Sequence, residues 1–133
     1  MNTVKDESYG LTKEQELFSK LKEMHGDTLK KTIGKYNPFD FENEDTLIEL
    51  KSRRNTKDKY PDTMVSLSKV KKAEGEKRNV YFYFNFTDGL YRWKYDSEEL
   101  KNFRYGQGGR NDRGRCEINN YCYIPVNILA KSI

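Results

Sequence analysis

Residues 38–54 read PFDFENEDTLIELKSRR, two runs of alternating character on either side of a polar stretch from Asn43 to Thr46. Successive side chains of a strand point to opposite faces, so Phe39 and Phe41 are predicted on one side of the first run and Asp40 and Glu42 on the other. In the second run Ile48 and Leu50 share a side, and Leu47, Glu49 and Lys51 take the opposite one. With Glu44-Asp45 as the hairpin tip, Phe41 pairs with Ile48 and Asp40 lies directly across from Glu49. A slip of one residue would mix polar and apolar faces, so the pattern selects this register or one shifted by two.

The flanking elements follow from local signals. Thr12 and Gln15 have capping-box spacing, and Leu17, Phe18, Leu21 and Met24 recur with helical period, which predicts a helix from about Lys13 to His25, stopped at Gly26. Carried back one turn, that apolar stripe meets Glu14, and a carboxylate there asks for a partner. Thr28 to Lys35 is a weaker strand candidate, and Pro38 interrupts the ladder that it leads into. Met64, Leu67, Val70 and Ala73, spaced by three, predict a second helix ending near Gly75, whose Lys69, Lys71 and Lys72 read as its exposed face. Val80 to Phe86 is an apolar and aromatic run suited to an interior strand, and Asp88-Gly89 turns it into LYRWKYD, residues 90–96. Ser97 to Phe103 suits a short helix capped by Ser97. Arg104 to Arg115 reads as a glycine and arginine loop, and YCYIPVNIL, residues 121–129, as a strand broken at Pro125 before a short turn or helix. The expected fold is α/β (α+β): a mixed central sheet with helices on its faces, in one domain spanning residues 1–133 whose first ten residues form a loose arm.

Composition bounds the function. A chain of 133 residues has room for one core, and with 35% apolar but 14% aromatic residues that core must rely on rings. The formal charge of +4 permits a polyanionic partner without demanding one. No apolar run approaches the roughly 18 residues of a membrane span, and residues 1–10 lack a signal peptide's apolar region, so an intracellular, non-secreted protein is expected. Cys116 and Cys122 make no disulfide framework. With His25 they also fall short of a zinc site in number and spacing, and a lone histidine gives a catalytic triad little to stand on.

The opening stretch carries the chemistry. Like charges placed directly opposite each other destabilise a sheet, so Asp40 facing Glu49 makes sense with a cation between them. Magnesium prefers oxygen ligands and keeps positions for water and phosphate. Lys51, on the same face two residues on, is placed to hold a phosphate oxygen or an attacking water.

Phe39-Asp40 followed by Glu49-Leu50-Lys51 resembles the signature of the PD-(D/E)XK nuclease superfamily, with "FD" standing for "PD" and Pro38 one position away. The order of elements from residue 12 to about 95 also resembles its restriction-endonuclease-like fold. The resemblance implies Mg²⁺- or Mn²⁺-dependent cleavage of DNA, with Asp40 and Glu49 as metal ligands, Lys51 as the catalytic lysine and Glu14 as the additional helix carboxylate. Glu16 substitutes for Glu14 if the helix is rotated, and Glu42 is a further candidate beside Asp40. The tyrosine-, asparagine- and lysine-rich composition is similar to that of proteins from large DNA viruses or phages.

Nucleic-acid contacts are expected from Arg53 and Arg54, beyond the site, and from Arg104, Arg110, Arg113 and Arg115 in the glycine-rich loop. Trp93 reads as a packing anchor rather than a base-stacking platform. A domain this small would need a second copy, as a homodimer, to cut both strands together. The rival readings are a catalytically silent nucleic-acid-binding or virion-associated protein of the same fold, and a protein-interaction module using the sheet edge.

Overall fold

The computed structural model of the chain describes residues 15–34, 37, 39–108 and 119–132. Residues 15–25 form α1. Short strands β1 (Lys30–Lys31) and β2 (Phe41–Glu42) lead into the long central strand β3 (Thr46–Ser52), and a 3-10 turn follows at Lys57–Lys59. Then come β4 (Asp62–Ser66), α2 (Leu67–Glu74), β5 (Asn79–Phe86), β6 (Gly89–Lys94), α3 (Ser97–Leu100), β7 (Arg104–Gly108), β8 (Asn119–Pro125), a second 3-10 turn at Val126–Ile128 and β9 (Ala130–Lys131).

The main sheet runs in the order β1-β2-β3-β5-β6-β9, with β3 and β5 parallel and every other pair antiparallel. A parallel pair cannot be closed by a tight turn, and the connection from β3 to β5 is made through β4 and α2. Strands β4, β8 and β7 form a second, antiparallel sheet. This is the mixed α/β architecture expected of a restriction-endonuclease-like fold.

Both faces of the main sheet are covered. On one face Leu17 and Leu21 of α1 pack with Leu29, Phe41, Ile48, Tyr83 and Leu90. On the other, Val70 and Ala73 of α2 and Val65, Cys122 and Ile124 of the second sheet pack over Leu47, Val80, Phe82, Phe84 and Phe86, with Trp93 and Phe103 at one end. Trp93 is an anchor, stacked on Phe82 at 5.6 Å and 2% exposed. Burial on both sides explains why β5 reads as a nearly continuous apolar run.

The hairpin register is the one expected: Phe41 pairs with Ile48, Glu42 with Leu47, and Asn43 donates its N–H to the Thr46 carbonyl around a Glu44-Asp45 tip. The Asn43 side chain accepts from the Asp45 N–H, fixing the turn. The two phenylalanines part company, however. Phe41 stacks on Phe18 of α1, whereas Phe39 meets Phe82 in the core beneath α2. Alternation fails there because the ladder of β2 begins only at Phe41; Asp40 is a bend, and the Asn37 side chain holds the Phe39 N–H.

Four other expectations change. The second helix starts at Leu67, since Met64 belongs to β4, where Thr63 and Val65 alternate inward and pair with β8. Residues 104–108 of the expected glycine and arginine loop form β7. The short third helix is capped by Asp96, whose carboxylate accepts from the Glu98 and Glu99 N–H groups, in place of Ser97. The expected β5–β6 hairpin forms, but its two-residue tip is Thr87-Asp88 and not Asp88-Gly89, because Gly89, at φ +153°, pairs with Phe86 and opens β6. No helix among the described residues is long and apolar enough to cross a membrane.

Candidate active site

Asp40 is held at the end of the β2 ladder by its own backbone. Its N–H donates to the Ile48 carbonyl at 2.9 Å, and its carbonyl accepts from the Thr32 N–H at 3.0 Å. Where the backbone of the first run departs from the sheet, the Asp40 side chain takes over as acceptor, with Oδ2 receiving the Leu50 N–H at 2.8 Å. That bond ties the carboxylate to β3 at Leu50, the residue between Glu49 and Lys51. The expected direct pairing of Asp40 with Glu49 does not form, because the ladder ends at Phe41–Ile48 and the Asp40 N–H turns to the Ile48 carbonyl; the two carboxylates are near enough for the Asp40 charge to act on Glu49.

Glu49 lies in mid-strand, paired in register with Phe82 on β5 and only 2% exposed. Its face is the one beneath α2. Oε1 is taken by the Lys69 ammonium of α2 at 2.8 Å, with Lys51 Nζ at 3.5 Å from the same oxygen. Oε2 is buried and has no hydrogen-bond partner. Burial pushes the Glu49 carboxyl above its usual range, the Lys69 hydrogen bond pulls it back, and the neighbouring Asp40 charge pushes it up again.

These features test a cation directly. An orphaned, buried carboxylate oxygen beside a second carboxylate is a costly arrangement on its own, and oxygen donors of this kind suit Mg²⁺ or Mn²⁺. The residues present therefore fit a divalent ion shared by Asp40 and Glu49. Among the described residues no three His, Cys, Asp or Glu side chains cluster as metal ligands. Glu14, expected to supply a third carboxylate, lies outside the described residues, as do Arg110, Arg113, Arg115 and Cys116. Glu16 is exposed on α1, which packs against the face opposite Glu49. Glu42 is paired with Arg78 at 3.2 Å, in a chain that continues to Glu76.

The expected nucleic-acid residues differ in their surroundings. Arg54 is exposed. Arg53 is half-buried: it donates from Nη2 to the Met64 carbonyl at 2.6 Å and from Nε to Thr63 Oγ1 at 3.3 Å, and its guanidinium lies over the Phe84 ring. It thereby ties β3 to β4. Arg104 is exposed, lies 4.1 Å from the Tyr123 ring centroid and pairs with Asp62.

Lys69, expected on the exposed face of its helix, instead reaches Glu49. A signal was present: a lysine in the first turn of a helix opposes the helix dipole, and no acidic residue accompanies it there. A cation in that position is favourable when a carboxylate faces it, as Glu49 does.

A family model described as "Phage putative PDDEXK endonuclease" matches residues 6–132. No curated protein and no solved structure matches the chain significantly.

Proposed function

The chain belongs to that phage PDDEXK endonuclease family, and on this premise we propose that it is a divalent-metal-dependent nuclease that hydrolyses the phosphodiester bonds of DNA. The observation that carries the reading is the buried, partnerless Glu49 Oε2 next to Asp40, with two lysines on the other oxygen of the same carboxylate.

Asp40 and Glu49 would hold Mg²⁺ or Mn²⁺, which when bound supplies Lewis-acid polarisation of a phosphoryl oxygen. Asp40 is suited to the task because its backbone and Oδ2 are both anchored to β3. Lys51, with its side chain 40% exposed, is free to turn from Glu49 towards a phosphate, orient the attacking water and neutralise charge developing on the phosphoryl oxygens. Arg54 would grip the flanking backbone, and Arg110, Arg113 and Arg115 would extend that grip. Glu14 is proposed as a third carboxylate, to be tested by Glu14→Gln.

The experiment is cleavage of plasmid, linear duplex, single-stranded and branched DNA with Mg²⁺, Mn²⁺ or EDTA, beside Asp40→Asn and Lys51→Ala. Metal-dependent cleavage lost in both variants is the expected result. Cleavage indifferent to both substitutions would overturn the assignment, and DNA binding without cleavage under every condition would favour a silent nucleic-acid-binding module.

A further inference from the structure

The described site is unusually rich in positive charge for a cation-binding centre. Asp40 and Glu49 contribute two negative charges, and Lys51 and Lys69 contribute two positive ones on a single oxygen, Glu49 Oε1. Arg53 follows on the same strand face with its guanidinium half-buried. A divalent ion approaching Oε2 therefore meets a pair of carboxylates whose charge is already balanced.

Lys69 is the firmer of the two ammonium groups. It makes the shorter contact, its side chain is 23% exposed against 40% for Lys51, and it is delivered by a helix whose Val70 and Ala73 are fixed in the core. Lys51 can swing outward; Lys69 is held down by the packing of its neighbours.

We infer that Lys69 is a built-in counter-cation: it neutralises Glu49 in the free protein, keeps divalent-metal binding weak there, and makes firm metal loading depend on an arriving phosphodiester. The inference rests on the reading of Asp40 and Glu49 as metal ligands. A phosphate supplies what the free site lacks, namely further negative charge, oxygen ligands for the ion and a second anionic partner for the ammonium groups. Metal and DNA then bind with positive coupling, and by reciprocity each tightens the other. The free protein would thus carry little metal until DNA is present.

The test is calorimetric titration of Mn²⁺ into the free wild-type protein and into Lys69→Met, Lys69→Gln and Lys69→Arg, with circular dichroism confirming the fold of each. Removing a unit charge a few ångströms from the ion is expected to tighten Mn²⁺ binding about tenfold in Lys69→Met and Lys69→Gln, while Lys69→Arg, which keeps the charge, stays near wild type. A phosphorothioate duplex is expected to tighten Mn²⁺ binding to the wild type and to do so by a smaller factor in Lys69→Met. Unchanged or weaker Mn²⁺ binding in folded Lys69→Met and Lys69→Gln overturns the inference, as does a duplex that leaves wild-type affinity unaltered. Glu49→Gln separates the two levels of argument. If Mn²⁺ binding in the presence of duplex survives Glu49→Gln, the metal does not sit at Glu49 and the functional reading itself fails. If it is lost while the Lys69 variants behave as wild type, only the role of Lys69 is wrong.

Discussion

Glu49 Oε1 accepts its hydrogen bond from Lys69, 2.8 Å away on α2, whereas Lys51, two residues along its own strand, stands at 3.5 Å. The division leaves Lys51 with little structural duty. Lys51→Ala is therefore expected to leave stability within about 0.5 kcal/mol of wild type, as for other substitutions at partly exposed positions without tight partners. Its effect falls on turnover, where loss of a charge-stabilising donor lowers kcat by roughly 10²–10³. Plasmid cleavage at saturating Mg²⁺ and a thermal melt on the same preparation check both halves; a large drop in melting temperature would show that Lys51 holds the fold.

Glu49 is retained at a cost to stability. Burial raises its carboxyl pKa in the folded state above the ordinary 4.5. The folded protein then binds this proton more tightly than the unfolded chain, so the contribution of Glu49 declines as pH rises through that value and through the raised folded one. Glu49→Gln cannot ionise, and its amide oxygen still accepts from Lys69. By that linkage, with the attraction of Lys69 and Lys51 already included in the net upward shift, the variant is expected to be more stable than wild type at pH 8. The difference should close once the pH falls below the unfolded value. Urea midpoints at the two pH values measure it, and a variant less stable than wild type at pH 8 would refute it.

Arg53 separates binding from folding. Its guanidinium bonds to Met64 and Thr63 hold β4, and with it the second sheet, against β3. Arg53→Met is expected to cost about 2 kcal/mol, the scale of a hydrogen bond to a charged donor. Arg54→Met is expected to spare stability and weaken DNA binding, lowering the salt-dependence slope by about one unit. A comparable fall in slope for Arg53→Met would give Arg53 a phosphate contact as well.

The hairpin that carries the site was legible because its alternation allows few registers: Phe41–Ile48 pairing follows from the sequence and occurs. Phe39 was misjudged because alternation assumes an unbroken strand, and the chain bends at Asp40 to free its carboxylate for the Leu50 N–H. Strand β4 was hidden because Met64, Leu67 and Val70 keep a helical spacing across a strand-to-helix junction at Ser66, and the pairing with β8 that makes it a strand comes from a distant segment. The role of Lys69 was invisible to a pattern reading for the same reason: its partner is contributed by β3, and only the fold of α2 over that strand brings the charges together.

His25 provides a pH test on the opposite face of the sheet. Its Nε2 lies 2.7 Å from the Tyr83 hydroxyl, and Arg92 Nη1 donates to that same hydroxyl at 3.1 Å. The Tyr83 oxygen accepts from Arg92, and Met24 Sδ lies 4.0 Å away as a second acceptor for its proton beside His25 Nε2. Burial, and secondly the Arg92 charge, lower the His25 pKa from 6.5. A histidine whose folded pKa is depressed contributes stability that is fully present above the unfolded value and is lost as pH falls through the lowered folded one. Protonation would set a second, half-buried cation near Arg92. His25 closes α1, and its carbonyl accepts from the Asn43 side chain at 3.0 Å, tying the helix end to the hairpin that carries the site. Wild-type stability is thus expected to decline on acidification below about pH 6.5, the unfolded histidine value. His25→Gln can still accept from Tyr83 and should be flat across the histidine window, before carboxylates titrate. Urea denaturation in steps from pH 7.5 to about 5 distinguishes the two proteins, and parallel curves would mean that His25 ionises without opposing the fold.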